Sequence, residues 1–219
     1  MFNINKKNYF ISYSQCGEDL IIDFIRKNIL NLEDFTYLDI GANDPFYINN
    51  TALFYKLGYK GVLIEPDIKM FNKLKRKRPK DKILKLGVAE HSGDSVIYIM
   101  EPSTLNTCSF EEAKSYERLG HKIIRKRKIQ TKNINSIIKE NFESYPNFLS
   151  IDVEGLDYEV ITSLDLEEYK IDIICIETLN YTENNKAEKN KRIIDYMESK
   201  KYKVYADTYI NTIFIKNYL

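Results

Sequence analysis

Five carboxylates stand at the ends of apolar runs. They are Asp39 in Tyr37-Leu-Asp-Ile-Gly41, Glu65 in Val62-Leu-Ile-Glu-Pro66, Asp152 and Glu154 in Asn147-Phe-Leu-Ser-Ile-Asp-Val-Glu154, and Glu177 in Asp172-Ile-Ile-Cys-Ile-Glu177. An acid at the C-terminal end of a sheet strand can accept both hydroxyls of a ribose, which is the role expected of Glu65. Carboxylates beside a substrate hydroxyl have other uses. One can take the proton as a new bond to oxygen forms, or two can hold a divalent cation that acidifies the hydroxyl first. Asp152 and Glu177, on adjacent strand ends, offer two oxygen ligands for Mg²⁺ or Mn²⁺. Without a metal, Asp152 or Glu154 is the expected base. Along a strand these two would point to opposite faces, but at its end both can turn toward a cleft.

The glycines narrow the ligand. A dinucleotide fingerprint, G-x-G-x-x-G, needs three glycines to seat a pyrophosphate on a helix N-terminus. Here Gly41 stands alone in Asp39-Ile-Gly-Ala-Asn43. The pattern favours a cofactor with ribose and adenine but no phosphate, S-adenosylmethionine being the leading candidate. An ordinary strand-to-helix turn is the plainer alternative. A nicotinamide-dependent nucleotide-sugar oxidoreductase or epimerase is disfavoured by the same missing glycines.

The elements that must position these residues follow from periodicity. Leu20, Ile21, Phe24, Ile25 and Ile29 recur at helical spacing, predicting an amphipathic helix over 15–30 with Ser14 as N-cap. Beyond the strand at Asp39, helices are expected over 50–58 and 68–78, and strands over 61–65, 82–89 and 95–100. Periodicity fades over 101–120, so 101–122 reads as a substrate lid. An edge strand over 123–131, a helix over 135–142, a buried strand over 147–154 and a helix through 164 come next. A strand over 172–177, a helix over 186–200 and strands over 202–206 and 212–216 close the chain. The βα alternation demands parallel pairing and the last two strands an antiparallel hairpin. The expected fold is therefore α/β and doubly wound. Its acids gather on one rim of the sheet.

At 219 residues the chain fits one domain, with 1–34 as a helical cap. A net charge of +1 supplies no global field for nucleic acid or an anionic membrane, and the three cysteines are too widely spaced for a disulfide framework or a zinc site. With no apolar stretch long enough for a signal peptide or membrane span, a cytoplasmic location is expected. The two histidines are His91, in a turn, and His121, at the end of the proposed lid and able to reach substrate there. The basic runs over 73–80 and 122–128 suit a solvated helix face and a charge-protected edge strand. Arg125 and Arg127 are the residues to test for contact with a nucleotide-sugar diphosphate.

Three segments carry a resemblance: Tyr13-Ser-Gln-Cys-Gly-Glu-Asp19, Asp39-Ile-Gly-Ala-Asn43 with Asn50-Thr51 beyond it, and Phe148-Leu-Ser-Ile-Asp-Val-Glu-Gly-Leu-Asp-Tyr-Glu159. Together with Ile64-Glu-Pro66 they resemble the FkbM family of class I, Rossmann-like S-adenosylmethionine-dependent methyltransferases. The resemblance implies a seven-stranded sheet and O-methylation of sugars or of capsule, lipopolysaccharide or other glycan precursors. N-methylation of a small amine phosphate would use much the same cofactor pocket. A binding module that keeps the fold without activity is a further alternative. Asp39, Gly41, Ala42 and Asn43 are placed beside the methionine part of the cofactor, with Thr51 beyond them. Glu65 and Pro66 fall at the ribose, Val88 near adenine, and Gln15 in a roof over the site. Asp39 could instead only hydrogen-bond the loop that holds the ligand. Asp44-Pro45 departs from the glycine many members carry there and stiffens the loop.

Overall fold

The computed structural model describes residues 10–181 and 187–218. In chain order they form α1 (Glu18–Phe24) continued by a π turn (Ile25–Ile29), β1 (Thr36–Ile40), α2 (Ala52–Lys56), β2 (Lys60–Ile64), α3 (Ile68–Lys77), β3 (Lys82–Leu84), β4 (Gly87–Val88) and β5 (Gly93–Glu101). A 3₁₀ turn (Ser103–Leu105), α4 (Phe110–Arg118), β6 (Lys122–Lys132), α5 (Ile134–Asn141), β7 (Phe148–Ile151), α6 (Asp157–Ser163) and β8 (Ile173–Glu177) follow. The chain then runs through β9 (Leu179–Tyr181), β10 (Ala187–Lys189), α7 (Lys191–Ser199), β11 (Tyr202–Asp207) and β12 (Asn211–Lys216). None of the described helices is long and apolar enough to cross a membrane.

The main sheet has seven strands in the order β11-β12-β8-β7-β1-β2-β3. Its neighbours pair in parallel except at β12, which runs antiparallel to both β8 and β11. This is the doubly wound, mostly parallel sheet with one reversed strand that the sequence predicts. Its central strands read as continuous apolar runs because both faces are covered. On one face, Leu38, Ile40, Leu149, Ile151, Ile174 and Ile176 pack with Ile137 and Ile138 of α5, Val160 and Ile161 of α6 and Met197 of α7. On the other, Tyr37, Leu63, Phe148, Ile173 and Cys175 pack with Ile22, Ile25, Phe54 of α2 and Leu74 of α3.

Several expected boundaries are corrected. The first helix begins at Glu18, after Gly17 at φ 90°, and has no side-chain cap. Ser14 instead donates its hydroxyl to Asp19 and accepts that residue's N–H. Losing a cap costs about 1 kcal/mol, whereas fully burying Ile22 and Ile25 contributes roughly 1.5–3 kcal/mol each, so packing decides where this helix sits. The strand expected over 82–89 divides, β3 staying in the main sheet and β4 joining β6 and β5 in a second, three-stranded sheet. There β6 is the middle strand, paired along its length with β5 and at Thr131 and Lys132 with β4, rather than an edge. The segment over 101–120 is ordered. Ser109 accepts the N–H of Glu112 as N-cap of α4, whose Ala113 and Tyr116 are buried. Helix α7 starts at Lys191, and residue 186, where its start was expected, lies outside the described residues.

Candidate functional site

The C-terminal ends of β1, β2, β7 and β8 and the turn at Ser103–Leu105 enclose a cavity of about 220 Å³. Gln15, Gly41, Asn43, Glu65, Pro66, Val88, Asp152, Glu154 and Glu177 line it. Asp39, Ala42 and Thr51 do not. They lie beneath it, and Asp39 accepts hydrogen bonds from the Thr51 hydroxyl (2.6 Å) and the Asn49 amide (3.2 Å). These contacts brace the loop over 41–51.

That brace extends further. Arg78, wholly buried, donates to Thr51 Oγ1, Asn49 Oδ1 and the Tyr37 hydroxyl, and its Nε reaches Asp81 at 2.7 Å. Asp81 also accepts from the Tyr37 hydroxyl and the Gly61 N–H. Burial raises the Asp39 pKa, while Thr51 and then Arg78 oppose the rise.

Gly41 sits at φ +85°, and a Cβ added there would lie 1.8 Å from the Asp152 carbonyl oxygen. Only glycine lets the two strand ends approach this closely. Asn43 follows at φ 46°, a region asparagine tolerates, and donates its N–H to Glu65 Oε2 at 2.8 Å. Glu65 Oε1 accepts from Asp67 N–H at 2.7 Å. Each oxygen has one backbone partner and so retains capacity for a second donor. Burial pushes the Glu65 carboxyl up to about 7 despite these two bonds.

On the opposite wall, Asp152, Glu154 and Glu177 bring ligand oxygens within 4.8 Å of one another. β7 stops at Ile151 and Glu154 takes φ 51°, so strand alternation no longer separates Asp152 from Glu154. The Tyr116 hydroxyl of α4 donates to Glu154 Oε2, and the Thr107 hydroxyl donates to the Glu154 carbonyl at 2.6 Å. Asp157 accepts from the N–H groups of Val153 and Gly155. Burial raises Asp152 to about 7, with the charges of Asp157 and Asp39 adding to it. Glu154 and Glu177 are also raised, first by burial and then by Asp152. Burial takes Asp157 up to about 6.

These shifts fix the sign of a stability change. Carboxylates ordinarily titrate near 4, so between about pH 4 and 7 the folded chain holds protons that the unfolded chain has released. Stability then falls as pH rises through that window. The thermal midpoint of the protein is expected to be higher at pH 5.5 than at pH 7.5, and equal midpoints would contradict the raised values.

Of the other residues singled out by sequence, His121 lies edge-on to the Tyr116 ring at 6.2 Å between centroids and lines neither this cavity nor the one described below. His91 is exposed beside Glu90. Arg125 and Arg127 line neither cavity. Glu18 and Asp19 are fully buried: Glu18 accepts from Thr208, Asn211 and the Cys16 N–H, and Asp19 from Ser12, Ser14 and the Tyr13 N–H. They tie down the segment that carries Gln15 to the cavity. Arg78 was not anticipated as part of the site, and within the expected lid over 101–122 neither Thr107, Tyr116 nor the turn over 103–106 was singled out.

The family described as the methyltransferase FkbM domain matches residues 39–204, most of the chain. The chain belongs to the FkbM methyltransferase family. Membership implies S-adenosylmethionine as the methyl donor, consistent with a one-glycine turn facing a strand-end acid. No curated protein matches the sequence. Among solved structures, a TehB-like SAM-dependent methyltransferase from Corynebacterium glutamicum is 9% identical, with a TM-score of 0.45 over 92% of this chain and 88% of that one. The methyltransferase domain of bacterial CtHen1 is 10% identical, with a TM-score of 0.43 over 91% of this FkbM chain and 98% of its own.

Proposed function

We propose that this FkbM-family chain is an S-adenosylmethionine-dependent O-methyltransferase acting on a sugar hydroxyl of a nucleotide-sugar or surface-glycan precursor. The observation that carries the reading is one cavity with a ribose-type acid, Glu65, on one wall and three clustered carboxylates on another. The residues fit the cofactor. Glu65 keeps acceptor capacity for ribose hydroxyls, Gly41 leaves room beside Asp152, and Val88 with Ile97 offers an apolar slot for a base.

When bound, S-adenosylmethionine supplies an electrophilic methyl group on a sulfonium centre. The chain's part is to orient the acceptor hydroxyl and take its proton. Asp152 is the proposed base, with Glu154 and Glu177 accepting hydrogen bonds from neighbouring hydroxyls. A pKa raised to about 7 suits a carboxylate for that work better than an ordinary one, because proton transfer is most efficient near the working pH. Asp152, Glu154 and Glu177 are also an all-oxygen set suited to Mg²⁺ or Mn²⁺, which would lower the pKa of the hydroxyl. We assign 101–122 as a lid, because its 3₁₀ turn borders the cofactor cavity and its helix carries Tyr116 to Glu154.

Calorimetric titration tests the reading. S-adenosylhomocysteine should bind in the micromolar range and NAD should not, and Glu65→Ala should weaken S-adenosylhomocysteine at least about tenfold through lost charge-assisted hydrogen bonds. Binding of NAD alone would overturn it. Parallel titrations with Mg²⁺ and Mn²⁺ test the metal.

A further inference from the structure

A second cavity, of about 230 Å³, opens on the far side of the acid cluster. It shares Glu154 and Glu177 with the first, so anything held in it faces the carboxylates that border the cofactor cavity. Its remaining walls are Glu112 and Tyr116 of α4, Gly155, Asp157, Tyr158 and Glu159 at the start of α6, Leu179, and Asn190, Arg192 and Ile193 at the start of α7.

The charges in those walls are lopsided. Glu112, Glu154, Asp157, Glu159 and Glu177 are set against one cation among the described lining residues, Arg192. Its guanidinium is exposed and lies over the Tyr158 ring, 4.0 Å from the centroid. Burial favours the protonated form of Glu154 and Glu177, but a protonated carboxyl offers an anion no positive charge. A divalent cation on Asp152, Glu154 and Glu177 would leave Glu112, Asp157 and Glu159 still outnumbering Arg192. The walls do suit hydroxyl and ammonium donors, since carboxylates are pure acceptors when ionised. The half-buried Tyr158 ring beside them offers apolar surface to a sugar.

Building on the reading above, we infer that the second cavity takes the methyl acceptor and that the acceptor group lodged there bears no phosphate or carboxylate: it is a neutral or amino sugar. The diphosphate-linked residue of a nucleotide-sugar would bring two negative charges to this wall. A glycan end or a free amino sugar would not. The acidity of the site thus becomes a filter on the acceptor as well as part of its chemistry.

Saturation-transfer NMR on the protein saturated with S-adenosylhomocysteine tests this, using methyl α-glucopyranoside, glucosamine and glucose 1-phosphate as probes. Glucosamine and the neutral glycoside should bind, and the phosphate at least about tenfold more weakly. Glu159→Lys alters an exposed lining residue, so the fold and S-adenosylhomocysteine affinity should be kept while the disadvantage of the phosphate shrinks. Equal or tighter binding of the phosphate to the wild type overturns the inference. So does the absence of binding by all three probes, or a Glu159→Lys variant with an unchanged order of preference. Failure of S-adenosylhomocysteine itself to bind is a separate result, which overturns the methyltransferase reading on which the inference rests.

Discussion

Asp152→Asn is expected to lower turnover by about 10²–10⁴-fold, the usual worth of a positioned general base, while leaving S-adenosylhomocysteine affinity close to wild type. Three observations single out Asp152 among the clustered acids. It is the first residue beyond β7, with its N–H fixed to the Ile40 carbonyl at 3.0 Å, so its backbone is held by the central sheet. It borders the cofactor cavity and not the second one, whereas Glu154 and Glu177 border both. Its pKa of about 7 gives it substantial populations of both protonation states near neutrality. Asparagine keeps the size and loses the basic oxygen, so a fall in rate without a fall in binding separates proton transfer from packing. The check is release of S-adenosylhomocysteine over time with an accepted sugar, alongside calorimetry. Wild-type turnover in this variant would move the role of base to Glu154.

The parts of this site legible in the sequence are those fixed by local pattern. Uninterrupted apolar runs marked β1, β2, β7 and β8, and an acid at or beside each strand end is enough to place Glu65, Asp152 and Glu177 on one rim, because parallel strands bring like ends together. Gly41 was legible as a turn, but its contact with the Asp152 carbonyl is a relation between residues 111 positions apart in number, set by the β1·β7 register rather than by either segment alone. Helix α4 left one local trace, the Ser109-Phe-Glu-Glu112 capping pattern, and in the structure Ser109 does accept the Glu112 N–H. Charged residues around it diluted the helical period. Tyr116, one of 17 tyrosines, had nothing in its neighbourhood to select it; only the docking of α4 against the loop over 153–157 does so. Arg78 was hidden more thoroughly. It lies in the basic run over 73–80, whose other members suit a solvated helix face, yet it is the one that turns inward, beyond the end of α3.

That inward turn makes Arg78→Met the variant with the largest expected cost in stability, about 3–5 kcal/mol. The guanidinium is fully buried and donates five hydrogen bonds, to Asp81, Asn49, Tyr37 and twice to Thr51. Methionine fills much of the volume but leaves Asp81 as a buried carboxylate without its cation, and an uncompensated buried charge costs more than the ion pair gains over an apolar replacement. The double variant Arg78→Met with Asp81→Asn should therefore lose less than the sum of the two single variants, a coupling that urea midpoints can read directly. The effect should also reach the cofactor, though Arg78 lines neither cavity. Asn49 and Thr51 are held by Arg78 on one side and hold Asp39 on the other, directly below the Gly41 turn. Freed from Arg78, they fix that loop less firmly, and S-adenosylhomocysteine should bind more weakly even under conditions where the variant remains folded. A variant with a wild-type urea midpoint would show that the buried pair contributes nothing to the fold; one that is destabilised but binds as well as wild type would separate the brace from the pocket.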